Sequence, residues 1–167
     1  MDDATDIHLI QLQCRPISAE ATHPLRLEIL RPERPVSEIV FPGDDDAATL
    51  HVGTFRGEAL VAVASLYYEA RSAGDPGGAV PGEDHATCSA WRLRGMATAT
   101  DARRIGAGAA ALEACERHAR EQGGTLAWCN ARTGAVAFYE VAGWHVLGEE
   151  FDIPTVGPHF VMEKSLR

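Results

Sequence analysis

The chain has 167 residues, 46% of them hydrophobic and 23% charged, and carries a formal net charge of −9. A chain of this size fits one domain, 1–167, with a sizeable core, and its composition excludes wholesale disorder. The acidic balance argues against a nucleic-acid partner, and no apolar run approaches the roughly 18 residues of a membrane span.

The opening MDDATDIHLI lacks a basic region followed by an apolar stretch, so a cytoplasmic location is expected. The four cysteines, Cys14, Cys88, Cys115 and Cys129, include no CxxC pair and read as reduced, mostly buried small hydrophobes. Cys115 and His118 share one face of a helix, but two ligands do not make a zinc site, and no metal is expected.

Residues 8–17 alternate loosely and predict a first strand. Pro24 suits the first turn of a short helix over 24–30, which the RPERP stretch ends. FPGDDDAA reads as a solvated turn. Two strand-like runs follow, 49–55 and 59–68, with Arg56-Gly57-Glu58 between them as a hairpin turn. The segment 71–86, rich in Gly, Pro and acidic residues, reads as a long flexible loop. A strand over 88–98 enters the polar loop ATDAR, and a helix then runs from 106 to 122. Its apolar positions Ala109, Leu112, Cys115 and Ala119 keep three-to-four spacing, and Gly123-Gly124 supplies the stop. Beyond it come a strand over 125–130, a short helix over 135–142 closed by Gly143, and strands over 144–151 and 160–164. Hairpins followed by strands alternating with single helices predict an α/β (α+β) fold: one mixed, mostly antiparallel sheet of six to seven strands flanked by helices.

The stretch Arg103-Arg104-Ile105-Gly106-Ala107-Gly108-Ala109 follows a strand and opens a helix. Glycine lets the backbone approach a ligand closely, and the first helical turn offers free N–H groups with a partial positive charge. Two adjacent arginines suit phosphate oxygens, so a diphosphate is the natural guest. The same letters satisfy the looser dinucleotide pattern GxGxxA. A nicotinamide cofactor is nonetheless disfavoured. A polar loop intervenes after the strand, the acidic residue expected about 20 positions on is missing, and the remaining chain is short for such a domain.

The chain here resembles the GCN5-related N-acetyltransferase (GNAT) superfamily. Its pattern strand–loop–Q/R-x-x-G-x-G/A–helix is matched by Met96-Ala97-Thr98, the loop, and residues 103–108. Its second pattern, A-x-x-F/L-Y-x-x-x-G-F/W, is matched by Ala135, Phe138, Tyr139, Gly143 and Trp144. The resemblance covers about 88–164 and implies that acetyl-CoA is the co-substrate and a primary amine the acceptor, with a homodimer through the late strands. It implies that pantetheine runs beside the backbone of Met96, Ala97 and Thr98. The diphosphate would rest on Gly106, Ala107, Gly108 and Ala109, with Arg103, Arg104 and Ile105 adjacent, and two splayed strands ending near Thr98 and Asn130 would admit the thioester. The family often has Gly where Arg104 stands, and Asn where Arg132 stands.

Acetyl transfer requires a neutral amine and a proton for the departing thiolate. Tyr139, which the family places near the coenzyme sulfur, stays protonated at neutral pH and is the expected general acid. Glu69, His51 and His159 are the candidate bases. Arg92, Arg94 and Met96 are expected on one face of their strand, with Trp91 and Leu93 on the other. An arginine there reads an acceptor carboxylate or pairs with a nearby acidic residue. A non-catalytic acyl-CoA-binding module is the alternative function.

Overall fold

A computed structural model describes residues 11–72, 74–75 and 89–167; most of the expected loop over 71–86 lies outside the described residues. Seven strands form one sheet: β1 (Leu12–Pro16), β2 (Leu50–Arg56), β3 (Ala59–Tyr68), β4 (Ala90–Thr98), β5 (Leu126–Arg132), β6 (His145–Ile153) and β7 (Gly157–Ser165). Their order is β1-β2-β3-β4-β5-β7-β6. Only β4 and β5 run parallel, and that pair requires a crossover, supplied by helix α2 (Ala107–Glu121). The fold is thus the mixed, mostly antiparallel sheet that the sequence predicts.

Strand β3 shows no alternation because both its faces are covered, so residues 61–67 are all buried. Ala64 and Leu66 join Trp91, Leu93, Leu112 and Cys115 under α2. Val63 joins Leu25 and Ala97 on the opposite face, beneath helix α1 (Ala19–Leu25). A last short helix, α3 (Val136–Val141), brings Tyr139 into the α2-side core.

The first helix differs from expectation. It begins at Ala19, not Pro24, because Ser18 caps it by accepting from the Ala21 N–H at 3.3 Å. Pro24 sits inside, and the chain widens directly after it into a π-type turn, Arg26–Leu30. An interior proline removes one helical hydrogen bond and crowds the preceding turn, which accounts for the irregularity.

The turn over 41–48 is not wholly solvated either. Asp44 is buried, where its carboxylate meets the fully buried Arg26 through Nη1 (2.7 Å) and Nη2 (3.1 Å). Arg26 also donates to Ser65 Oγ and the Ile39 carbonyl, and Tyr67 donates its hydroxyl proton to Asp44. Although burial opposes ionisation, the hydrogen bonds from Arg26, Tyr67 and the Phe41 N–H hold the Asp44 carboxyl down at about 2. Burial and the bond to Asp44 push the Tyr67 phenol up to about 12. This pair fastens the 41–49 segment onto the sheet.

Candidate active site

The register of β4 and β5 runs Ala90↔Leu126, Trp91↔Ala127, Arg92↔Trp128 and then stops. From Leu93 onward β4 is paired only to β3, so its other edge, including Met96, Ala97 and Thr98, faces a gap between the two strands. β5 continues to Arg132 along β7, which draws it away from β4.

The gap is shaped by a β-bulge. Pairing with β3 shifts between Val63 and Ser65, opposite Gly95 and Met96, and Gly95 takes the left-handed φ of +61°. Arg94 and Gly95 therefore point to the same face: a Cβ on Gly95 would lie 2.7 Å from Arg26 Nε and 3.0 Å from Phe41. Met96 is turned to the opposite face, against the α2-side core. The expectation that Met96 shares a face with Arg92 and Arg94 is thereby corrected. An isolated glycine within a strand was the sequence signal for it.

On the α2 side, Met96 from β4, Cys129 from β5 and Tyr139 from α3 pack together in the core beside the gap. The Tyr139 ring packs between Phe138 and Trp144, with centroids 5.1 and 5.4 Å away. Its hydroxyl donates to Met96 Sδ at 3.5 Å. Burial raises its pKa well above 10, and the neighbouring Cys129 adds to the effect. The same burial raises the Cys129 thiol far above its ordinary value.

The glycine turn stands at the end of the gap. Gly106 caps α2 with φ +87° and open space where a side chain would stand. The first helical bond joins Ala110 N–H to the Gly106 carbonyl, so the N–H groups of Ala107, Gly108 and Ala109 precede the ladder. Gly108 is packed closely: a Cβ there would lie 2.9 Å from Thr98 Oγ1 and 3.4 Å from Met96 Cε. Arg103 and Arg104 are exposed, and Arg104 holds φ +64°, a conformation that glycine adopts without strain. Ile105 packs on the Val61, Ala62 and Ala102 cluster, anchoring the turn.

On the opposite face a cavity of about 910 Å³ lies between the 42–49 segment and the ends of β3 and β4. Glu69, Arg92 and Arg94 line it, and Glu69 accepts from Arg92 at 2.8 Å. His51 does not line it. Its Nε2 donates to the Asp44 carbonyl and its Nδ1 accepts from Ser65 Oγ, leaving neither nitrogen for chemistry. His159 donates Nδ1–H to the Gly157 carbonyl at 2.7 Å, and burial with the nearby Arg132 lowers its pKa. Arg132 donates to the Leu30 carbonyl at 2.6 Å, on the face away from Cys129. Cys115 is buried and His118 packs edge-on against Trp91, and no metal-holding group of three occurs among the described residues.

A sheet parted between its central parallel strands, with a glycine-capped helix at the end of the gap, defines a GNAT-type acyltransferase fold. The chain matches the model of the Acetyltransferase (GNAT) domain over residues 49–166 and belongs to that family of N-acetyltransferases. It is 35% identical over 156 residues to YitI, an uncharacterized N-acetyltransferase of Bacillus subtilis (strain 168), covering 93% of this chain and 97% of that one. The ribosomal-protein-S18-alanine N-acetyltransferase from Escherichia coli shares the fold at a TM-score of 0.67 and 16% identity, over 93% and 94% of the two chains. So does Ard1 from Thermoplasma volcanium, at 0.67 and 15%, over 92% and 97%. No helix among the described residues is long and apolar enough to cross a membrane.

Proposed function

We propose that this N-acetyltransferase takes its acetyl group from acetyl-CoA and transfers it directly to a primary amine, with Tyr139 as general acid. The observation carrying the reading is the Tyr139 hydroxyl, buried beside Met96 Sδ and the Cys129 thiol next to where β4 and β5 part. Membership of the family supports acyl-CoA as donor. The free N–H groups of Ala107, Gly108 and Ala109 suit its diphosphate, with Arg103 and Arg104 adding charge and Ile105 bracing the turn. The unpaired edge of Met96, Ala97 and Thr98 suits the amides of its pantetheine arm.

In the reaction the amine nitrogen bonds to the thioester carbonyl carbon, the C–S bond breaks, and Tyr139 gives its proton to the departing sulfur; the proton that the amine loses to solvent balances the one that restores the phenol. A phenol above 10 is a weak donor toward a thiolate of ordinary basicity. Burial pushes the Tyr139 phenol and the neighbouring Cys129 thiol in the same upward direction, which supports a match between Tyr139 and a thiolate held beside it. Of the three candidate bases, Glu69 alone lines the cavity, and its partly exposed carboxylate, though paired with Arg92, supports it as the group that passes the amine's proton to solvent.

Isothermal titration calorimetry with acetyl-CoA, followed by a free-thiol assay across an amine panel, tests this reading. Binding with turnover supports it. Binding without transfer to any amine points to a non-catalytic acyl-CoA module. No binding, in calorimetry or in a second assay, ends the proposal.

A further inference from the structure

We infer that Arg94 receives a carboxylate of the acceptor, making the substrate a small amine that also bears an acid group. This rests on the acetyl-transfer reading above.

Arg92 and Arg94 point into the same cavity, but they stand differently there. Arg92 is neutralised: it bonds Glu69 at 2.8 Å and lies 4.6 Å over the Trp128 ring. Arg94 makes no hydrogen bond or ion pair with any described residue. Its guanidinium is held between two rings instead, 4.6 Å from the centroid of Phe41 and 5.5 Å from that of Tyr67. Stacking of this kind fixes the plane of the guanidinium while leaving its N–H edge open. Burial disfavours its charge, which an anionic partner would offset.

Among the described residues, two of the three nearby carboxylates are already engaged. Asp44 is bound to Arg26, Glu69 to Arg92, and Asp46 is an exposed residue at the rim. The position also suits an acceptor. Strand pairing ends at Arg92, so Arg94 stands where β4 leaves β5, and the cavity it lines opens beside the gap on the face away from Tyr139. A cavity of about 910 Å³ is large enough for a small metabolite. A planar carboxylate matches the two-pronged guanidinium edge, and such charged hydrogen bonds are the strong ones.

The test uses matched pairs differing only in the acid: phenylalanine and phenylalaninamide, β-alanine and β-alaninamide, 4-aminobenzoate and 4-aminobenzamide. In at least one pair the acid should exceed the amide in kcat/KM by about tenfold or more. Arg94→Gln should erase that preference, Arg94→Lys should restore part of it, and acetyl-CoA affinity should stay within about twofold. Amides acetylated as well as acids, or Arg94→Gln slowing both alike, would overturn the inference. A second readout needs no turnover: millimolar acid, but not amide, should raise the melting temperature of the wild type and not of Arg94→Gln. That shift without transfer would defeat the acetyl-transfer reading and leave the carboxylate site standing. Transfer indifferent to the acid would do the reverse, and absence of both would remove each.

Discussion

Tyr139→Phe separates what the hydroxyl does for the reaction from what it does for the fold. Its partner is a thioether sulfur at 3.5 Å, a weak acceptor, with the Cys129 thiol alongside. A buried hydroxyl so poorly matched recovers little of its desolvation cost, which runs at about 1–3 kcal/mol. The ring, by contrast, is packed against Phe138 and Trp144 and is unchanged in phenylalanine. The variant should therefore be as stable as the wild type or more stable, by about 1 kcal/mol at most. Turnover should nevertheless fall by about 100-fold, a loss of about 2.7 kcal/mol of transition-state stabilisation. Denaturant titration gives the first quantity and a saturating free-thiol assay the second, while acetyl-CoA affinity should be preserved. Because burial keeps the phenol protonated, the wild-type rate should show no falling limb attributable to Tyr139 up to about pH 10. Unchanged kcat in the phenylalanine variant, or a stability loss large enough to explain the drop, would refute the general-acid assignment.

Three further outcomes are expected. Gly108→Ala should keep stability within about 1 kcal/mol, since a small shift of Thr98 Oγ1 relieves the 2.9 Å contact and alanine favours the helix. Gly108→Val should lower acetyl-CoA affinity at least about tenfold by calorimetry, because its branches press on Met96 and Thr98. Glu116 is buried and accepts from Trp144 Nε1 at 2.8 Å and from Lys164 Nζ at 2.6 Å. Glu116→Leu should cost about 3 kcal/mol in urea denaturation, and adding Lys164→Met should recover part of it. Asp44 has a folded-state pKa of about 2 against an ordinary 3.8, so its contribution is complete above the ordinary value and lost as pH falls through about 2. That loss amounts to about 2 kcal/mol, measurable as acid destabilisation that Asp44→Asn, itself less stable at neutral pH, should lack.

Much of the fold was legible because its punctuation is local. Gly106 and Gly123 bracket α2 with left-handed turns, and Gly57 marks the β2–β3 hairpin. The short helix that carries Tyr139 into the core was legible through the spacing of its motif and the closing Gly143. The start of α1 was misread because Pro24 is a common first-turn residue, whereas the true signal was Ser18 with Glu20 soon after. The Arg26–Asp44 pair spans 18 positions and depends on tertiary folding, which no local pattern reports. The cavity was equally hidden, being assembled from the 42–49 segment and two strand ends far apart in sequence. Arginine residues at 92 and 94 look equivalent in the sequence, and only their surroundings distinguish a neutralised group from an open one.

The bulge at Gly95 makes one continuous strand serve two chambers. Just before it Arg92 and Arg94 look into the cavity, while Met96 and Thr98 beyond it look toward the helix that carries the glycine turn. Divergence among relatives can then alter the cavity-facing residues of β4 while leaving the helix-facing ones intact. Insertion or deletion at Gly95 would exchange the two outlooks at once, so drift in specificity is open to this strand, but a change in its length is not.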